Sequence, residues 1–518
     1  MAHTWRHLFL ASWLAMAAVQ LAWGQAPVAA AASEAYDSEE VLKLRGWIIQ
    51  PSIGMELTHT DNVSLQSKNK DSGLIVRTSP GILLQGQSAR ARAYVDFRLQ
   101  QVDYAQGEGQ DRIQRSLNGT ANLELLDNWL FIDLGGRIAR QAISAFGTQA
   151  SGSDSINSNV VETSSYQAAP YIQGRLFGDA DYFVRLDNTW YSAQNGPMRD
   201  LTMQSVQANL SGNTGMRLLT WKLAADAQHT KYSNNAKNES DSLRGTLTYM
   251  VDPQLRFTVI GGQESNDYVD FKQQTSSITG WGLEWAPTER TQLAWTQEDR
   301  YFGQGHNFIF THRTPNTAWR LSDSRDVMIV APQSMTFSMG SYFDMFNEQL
   351  RSSMPDDAER TRYIMAMLQS MGIAPDAQAI GGFQSSRASN NRAKEASFVW
   401  TGARNVVTFS AQSLNRTALG TVDIPDDFDL STTIRQKGLS INWSHKLTPL
   451  ATLTLMSNKF WTSGNTSNLD TDRTLYSLML TSKLGVYTSG SIGYRRTEAS
   501  GVSAYVENAI FGSLLMVF

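Results

Sequence analysis

Two imidazoles six positions apart, His306 and His312, share one side of an extended strand, and such a pair has the chemistry to ligate a metal or to move protons. The five histidines beyond the N-terminal segment (His59, His229, His306, His312 and His445) form no H-E-x-x-H or other carboxylate-spaced ligand pattern. No Gly-x-Ser-x-Gly elbow presents a nucleophile. Glu298-Asp299-Arg300 sets two carboxylates beside a guanidinium, an arrangement better suited to a rim ion-pair network than to paired-acid catalysis. With no cysteine in 518 residues, disulfide scaffolds and thiolate metal centres are excluded. The expectation is a chain that is not an enzyme and needs no cofactor or metal.

Arginine is the second chemical signal. Of 44 basic residues 12 are Lys and 32 are Arg. Arg90, Arg92, Arg98, Arg112, Arg185 and Arg244 fall on the polar side of alternating segments, together with Tyr94 and Tyr191. Guanidinium forks bind carboxylates in a bidentate manner, so this face suits anionic solutes. Asp96, Glu124 and Asp187 occupy the same kind of face, and an ion-pair ladder that only stiffens a wall is an equal reading. A net charge of -4 gives no ground for a nucleic-acid partner.

The elements that carry these residues alternate with period two. In 90–100, Ala91, Ala93, Val95, Phe97 and Leu99 oppose Arg90, Arg92, Tyr94, Asp96, Arg98 and Gln100. Segments 112–125, 243–251 and 439–444 repeat the pattern, which describes strands with one apolar side. Runs of 10–15 residues exceed the usual strand length of about 5–6. Ten short turns, near 87–88, 127–128, 178–179, 213–214, 252–253, 287–288, 315–316, 402–403, 448–449 and 484–485, alternate with longer polar segments at 66–72, 147–159, 233–242, 464–472 and 499–503. That asymmetry predicts a transmembrane antiparallel outer-membrane β-barrel of about 22 strands, within 18–24, with an apolar face toward lipid and a wet lumen. Trp129, Trp285, Trp319 and Trp400 lie within a few residues of short turns, with Trp221 and Trp443 slightly further off, as in an interfacial aromatic girdle. The mean hydropathy of -0.32 is the average of the two faces.

The termini agree with this placement. Arg6, an apolar stretch from Leu8 to Trp23 and the small residues Ala22 and Gly24 mark residues 1–24 as a secretory signal, followed by a flexible periplasmic leader over 25–44 and a single barrel domain over 45–518. The chain ends with Leu514, Met516 and Phe518 on one side of a final strand. Such an ending resembles the signal read by the barrel-assembly machinery.

One interval between short turns is 87 residues long and changes period. Over 341–375, Phe343, Phe346 and Leu350 share one helical face, and Ile364, Met367, Leu368 and Met371 another. Pro355 and Gly372 bound the second helix. Eight methionines between Met328 and Met371 make the segment apolar but soft. A plug or constriction inside the lumen is the preferred expectation, with a rim lid or a periplasmic docking element as alternatives.

Residues 54–65 (with His59-Thr60-Asp61-Asn62-Val63), 72–81, the 281–321 block with Glu298-Asp299-Arg300-Tyr301-Phe302-Gly303, and the helical insertion from Met345-Phe346 to Gly372 resemble the PEP-CTERM system-associated outer-membrane proteins, barrels encoded with exosortase and exopolysaccharide genes in Gram-negative bacteria. The resemblance covers most of the mature chain and brings no catalytic residues. It implies exopolysaccharide export or surface assembly, with membrane lipid, the assembly machinery, polysaccharide and periplasmic export components as partners. The Arg-rich face would then serve an acidic polysaccharide, and Tyr94 and Tyr191 would stack on its sugars. A non-conducting barrel that scaffolds secretion machinery through the insertion is the alternative, and a barrel-embedded hydrolase the third.

Overall fold

The computed structural model describes residues 46–518 apart from 107–108, 153, 195–199, 217, 235, 270–271, 421–425 and most of 329–386, where Phe343, Phe346, Asn347, Arg360, Ile364, Phe383 and Ser385 are described. The expected signal (1–24) and leader (25–44) lie outside them. Twenty-two strands run in chain order: β1 (Gly46–Thr60), β2 (Gly73–Gln87), β3 (Ala91–Gln106), β4 (Arg112–Leu126), β5 (Leu130–Ala142), β6 (Val160–Leu176), β7 (Ala180–Ala193), β8 (Leu201–Asn213), β9 (Leu219–Tyr232), β10 (Lys237–Asp252) and β11 (Leu255–Asn266). They continue as β12 (Gln274–Thr288), β13 (Thr291–Arg300), β14 (Gly303–Arg313), β15 (Thr317–Met328), β16 (Ser389–Thr401), β17 (Asn405–Ala418), β18 (Thr433–Lys446), β19 (Ala451–Ser463), β20 (Thr471–Lys483), β21 (Thr488–Gly501) and β22 (Tyr505–Val517). Every neighbour in sequence pairs antiparallel, and β22 pairs with β1 from Ser52↔Val517 to Thr60↔Ala509, so the sheet closes. A barrel leaves no open edge, which is what lets strands cross a membrane.

All ten short connections fall at the expected turns. Tight turning shows at β6–β7, where Phe177 and Gly178 have φ of 52° and 83°. One expectation needs correction at the other end: 233–242 is mostly strand, because β10 begins at Lys237 and pairs with β9 from there. The charges that made this stretch look like a loop, Glu239 and Asp241, ride on the outer end of β10.

The alternation resolves into two walls. On β1, Glu56, Thr58 and Thr60 point inward and are buried, while Met55 and Leu57 point outward and are exposed. Leu439, Ile441, Leu455, Leu478, Ile492 and Ile510 continue the exposed apolar exterior. Trp129, Trp285, Trp319 and Trp400 stand exposed beside the short turns. This inside-out distribution is stable only with hydrocarbon as the outer solvent. Strands spaced about 4.8 Å apart and tilted about 40° close at this strand number into a backbone ring about 44 Å across. So wide a ring needs filling or covering.

Candidate functional site

The covering is built from loops at the long-loop end. Residues 143–159, between β5 and β6, fold in over the lumen. Their anchors lie on distant strands: the Asp154 carbonyl accepts from Tyr104 Oη (2.6 Å) and Arg112 Nη2 (3.3 Å), and the Gln149 carbonyl accepts from Tyr505 Oη (2.6 Å) and Arg473 Nη1 (3.2 Å). Ser151 Oγ accepts from Thr497 Oγ1 at 3.0 Å, and Ile156 N donates to the Val63 carbonyl at 2.9 Å. Between β17 and β18 a single helical turn, α1 (Asp427–Leu430), is capped by Asp426, whose side chain accepts from Phe428 N. Ala145 N donates to Asp427 Oδ2 at 2.6 Å. Ten strand positions separate these two loops in a ring of 22, so they meet from nearly opposite sides.

Apolar and ionic packing both hold the cover. Ala145, Phe146, Phe383, Phe428 and Ile434 form one buried cluster, contributed by three separate connections and the start of β18. Arg387 pairs with Asp426 Oδ1 at 3.2 Å and with Asp429, fastening the return into β16 onto the helical turn. Below 143–159 lies a buried charge group. Arg77 Nη2 is 2.5 Å from Glu56 Oε2, and Arg495 Nη2 is 3.2 Å from Glu507 Oε1 and 3.8 Å from Asp154 Oδ1. A Cβ added at Gly152 would come within 2.2 Å of Asp154 Oδ1 and 2.7 Å of Arg495 Nη2, which explains a glycine at that point of the loop. Burial pushes the Asp154 carboxyl up, but Arg495 and Arg77 together pull it further down, so it sits below the ordinary carboxylate range. Asp427 lies in the opposite situation: burial pushes it up to about 6, against the opposing hydrogen bonds from Ser144 and the Ala145 amide.

The expected lumen residues can now be placed. Arg92, Tyr94 and Arg98 on β3, Arg112 on β4, Arg185 and Tyr191 on β7 and Arg244 on β10 all take inward registers. Arg90 does not: it lies in the β2–β3 turn, exposed and paired with Asp127, because the strand starts one residue later. The inward guanidiniums are largely engaged with carboxylates: Arg98 with Asp96 (2.8 Å), Arg185 with Asp133 and Asp187, and Arg244 with Glu298 (3.6 Å). Arg300 gathers Glu264 (2.6 Å), Glu298 and Asp326. These contacts favour the ion-pair ladder over an unneutralised anion path. Tyr191 is packed with Leu201 and Tyr232, which leaves its ring no open face for a sugar.

Phe343, Phe346 and Ile364 of the insertion are helical, with Phe346 and Ile364 buried; Leu350, Met367, Leu368 and Met371 lie outside the described residues. Leu514, Met516 and Phe518 are exposed on the outer wall at the short-turn end. All five described histidines take outward registers. His306 bonds Asp323 at 3.0 Å, and His312 bonds Thr291 Oγ1 at 2.9 Å. Six strand residues separate them by about 20 Å, too far for a shared site. Among the described residues no three His, Asp or Glu side chains are grouped to hold a metal.

No protein-family model matches the sequence, and no curated protein matches it. Solved structures do. The siderophore receptor PirA from Pseudomonas aeruginosa is 9% identical, with a TM-score of 0.46 over 92% of this chain and 81% of that one. A variant of the ferric enterobactin receptor PfeA from the same organism is 10% identical (TM-score 0.47; 90% and 80% covered), and the FrpB iron transporter of Neisseria meningitidis 9% (TM-score 0.48; 93% and 83%). The chain is an outer-membrane β-barrel. At such low identity the likeness concerns barrel architecture. The three structures named are iron and siderophore receptors, none an exopolysaccharide exporter, which corrects the expected role in exopolysaccharide export, with its polysaccharide and periplasmic export partners. A covered mouth agrees, since 143–159 lies where a polymer would thread. The scaffold and hydrolase alternatives find no counterpart among these receptors, and the hydrolase also loses its paired imidazoles.

The sequence did not single out Glu56, Arg77, Asp154, Asp427, Arg495 or Glu507. The first three come together with Arg495 and Glu507, and Asp427 meets Ala145 across the ring, from distant parts of the chain, and spacing carries no trace of that. The one available signal was local: Phe146 in a small-residue loop and Phe428 in an acidic one are apolar side chains that need a place to be buried.

Proposed function

We propose that this chain is an outer-membrane transporter, a solute passage through the 22-strand lumen whose extracellular mouth is held shut by its own loops. The observation that carries the reading is the meeting of 143–159 with α1 across the ring, Ala145 N on Asp427 Oδ2, over a layer of buried ion pairs. A bore about 44 Å across at the backbone would leave the cell permeable unless covered. Buried ion pairs are a sparing way to hold a cover, because their attraction is largely offset by desolvation. A cover so held is stable when closed and is released at modest cost.

Conductance tests this directly. The whole chain in a planar bilayer is expected to show few and small steps, and a variant with 145–157 replaced by a short Gly/Ser link large, long-lived ones. A variant that is folded by heat-modifiable gel mobility yet as closed as the parent would overturn the reading.

A further inference from the structure

The outer wall of β14–β19 carries more positive charge than carboxylates among the described residues balance. Outward positions on these six strands hold Arg325, Arg392, Lys394, Arg435, Lys437 and Lys459, against Asp323 as the one carboxylate. The residues form rows. His306 is opposite Arg325, Arg325 opposite Arg392, Arg392 opposite Asn415, and Asn415 opposite Arg435. One step nearer the membrane centre, Asp323 is opposite Lys394, Lys394 opposite Ser413, and Ser413 opposite Lys437. Across the five strand spacings the patch is about 24 Å wide.

Like charges directly opposite on one face repel, and the pair Arg325–Arg392 is such a case. Asp323 relieves part of it, accepting from Arg392 Nη2 (3.0 Å), His306 Nε2 (3.0 Å) and Lys394 Nζ (3.3 Å). Three of the remaining cations meet neutral groups: Arg325 Nε donates to Asn390 Oδ1, Arg435 Nη1 to the Gly464 carbonyl, and Lys459 lies over the Trp461 ring at 5.4 Å. Outward charges elsewhere are better matched, as in Arg115 with Glu162 (2.6 Å) and Arg496 with Glu498 (2.6 Å).

Height decides what meets this patch. Lys437 is six residues from Trp443, and Lys394 six from Trp400. At about 3.3 Å per residue and a tilt of about 40°, both stand about 15 Å above that girdle, and Arg392 and Arg435 about 20 Å. The apolar band of such barrels is about 25 Å tall, so the strand positions of these cations lie about 5–10 Å below its outer edge, from which long side chains reach the outer leaflet's headgroups rather than bulk water. Their stems lie along apolar wall while their charges reach upward.

We propose that this face binds a phosphorylated glycolipid of the outer leaflet, its phosphates held between the rows of β15–β18 and its acyl chains lying on Phe398, Phe409, Leu439 and Ile441. Phosphate oxygens accept from several guanidinium and ammonium groups at once, and cations of both rows can share one headgroup. The proposal rests on outer-membrane placement but not on transport, so failure of the conductance test would leave it standing.

The test reconstitutes the whole chain in vesicles of phosphatidylethanolamine with either bis-phosphorylated lipid A or its fully dephosphorylated form, then measures lipid retained on the detergent-extracted protein by native mass spectrometry. At least tenfold greater retention of the phosphorylated form is expected, and its loss in the Arg392→Gln/Lys394→Gln/Arg435→Gln/Lys437→Gln variant. The two-lipid comparison needs no variant and decides the matter if that one fails to fold. Equal retention of both lipids would overturn the proposal, as would full displacement of lipid A by millimolar inorganic phosphate, which would make the patch a site for the free ion.

Discussion

Arg495→Met preserves side-chain bulk and removes the charge that two buried carboxylates share. Glu507 and Asp154 are 1% and 3% exposed, and Arg495 Nη2 approaches them at 3.2 and 3.8 Å. At an effective dielectric of about 20 these contacts represent roughly 5 and 4 kcal/mol of gross attraction. Part of that is returned when charges regain water, and breaking a buried pair costs about 3–5 kcal/mol net. Glu507 belongs to the wall and Asp154 to the loop, so the loss appears as repulsion between wall and cover. The population with 143–159 released should rise by at least about a hundredfold. Proteinase K cleavage within 143–159 of the folded barrel in detergent reads this population, since the docked loop is shielded. The pH dependence should also weaken. In the parent, the Asp154 carboxyl is held below its ordinary value, so its contribution to docking is present at neutral pH and lost as pH falls through that lowered value. In Arg495→Met burial is opposed by Arg77 without its larger partner, so the carboxyl rises from its parent position and acidification costs less of the docking. A folded variant cleaved less than threefold faster than the parent, with unchanged pH dependence, would refute the ion-pair account of the cover.

Two further outcomes follow from the same geometry. Asp427, raised to about 6, binds its proton more tightly docked than free, so its own contribution to docking of 143–159 onto α1 is full below about pH 4 and is lost as pH rises through 6, roughly 3 kcal/mol in all; Asp427→Asn should make docking at pH 7.5 tighter than in the parent, and equal protease resistance of parent and variant at pH 7.5 would count against it. Leu514, Met516 and Phe518 lie exposed on the last strand, so Phe518→Ala should lower the yield of membrane-inserted barrel in cells severalfold while leaving refolding in detergent unchanged; an equal loss in both settings would make Phe518 a stability residue instead.

Much of the barrel was legible because its determinants are local. Alternation fixes which side of each strand meets lipid: Ala91 to Leu99 and Leu439 to Trp443 could face no other way without exposing charge to hydrocarbon. Short turns mark themselves with Asn, Gly, Asp and Pro, and counting them yields the strand number. Strand ends were less legible. Lys237–Asp241 is polar enough to read as loop, and only pairing with β9 makes it strand. Arg90 was misplaced for the same reason, since one residue decides between turn and wall.

What the linear chain determined, then, is a closed wall with a wet side and an oily side, because each strand's faces are set by neighbours two residues away. What it left open is everything that depends on curvature. Only closure of β22 on β1 brings Arg495 and Glu507 beside Glu56 and Arg77, and only the inward fold of 143–159 adds Asp154. The wall's identity as an ion-pair ladder, the cover over its mouth and the basic rows outside it are alignments across strands. Register sets those alignments, and register is a property of the sheet as a whole.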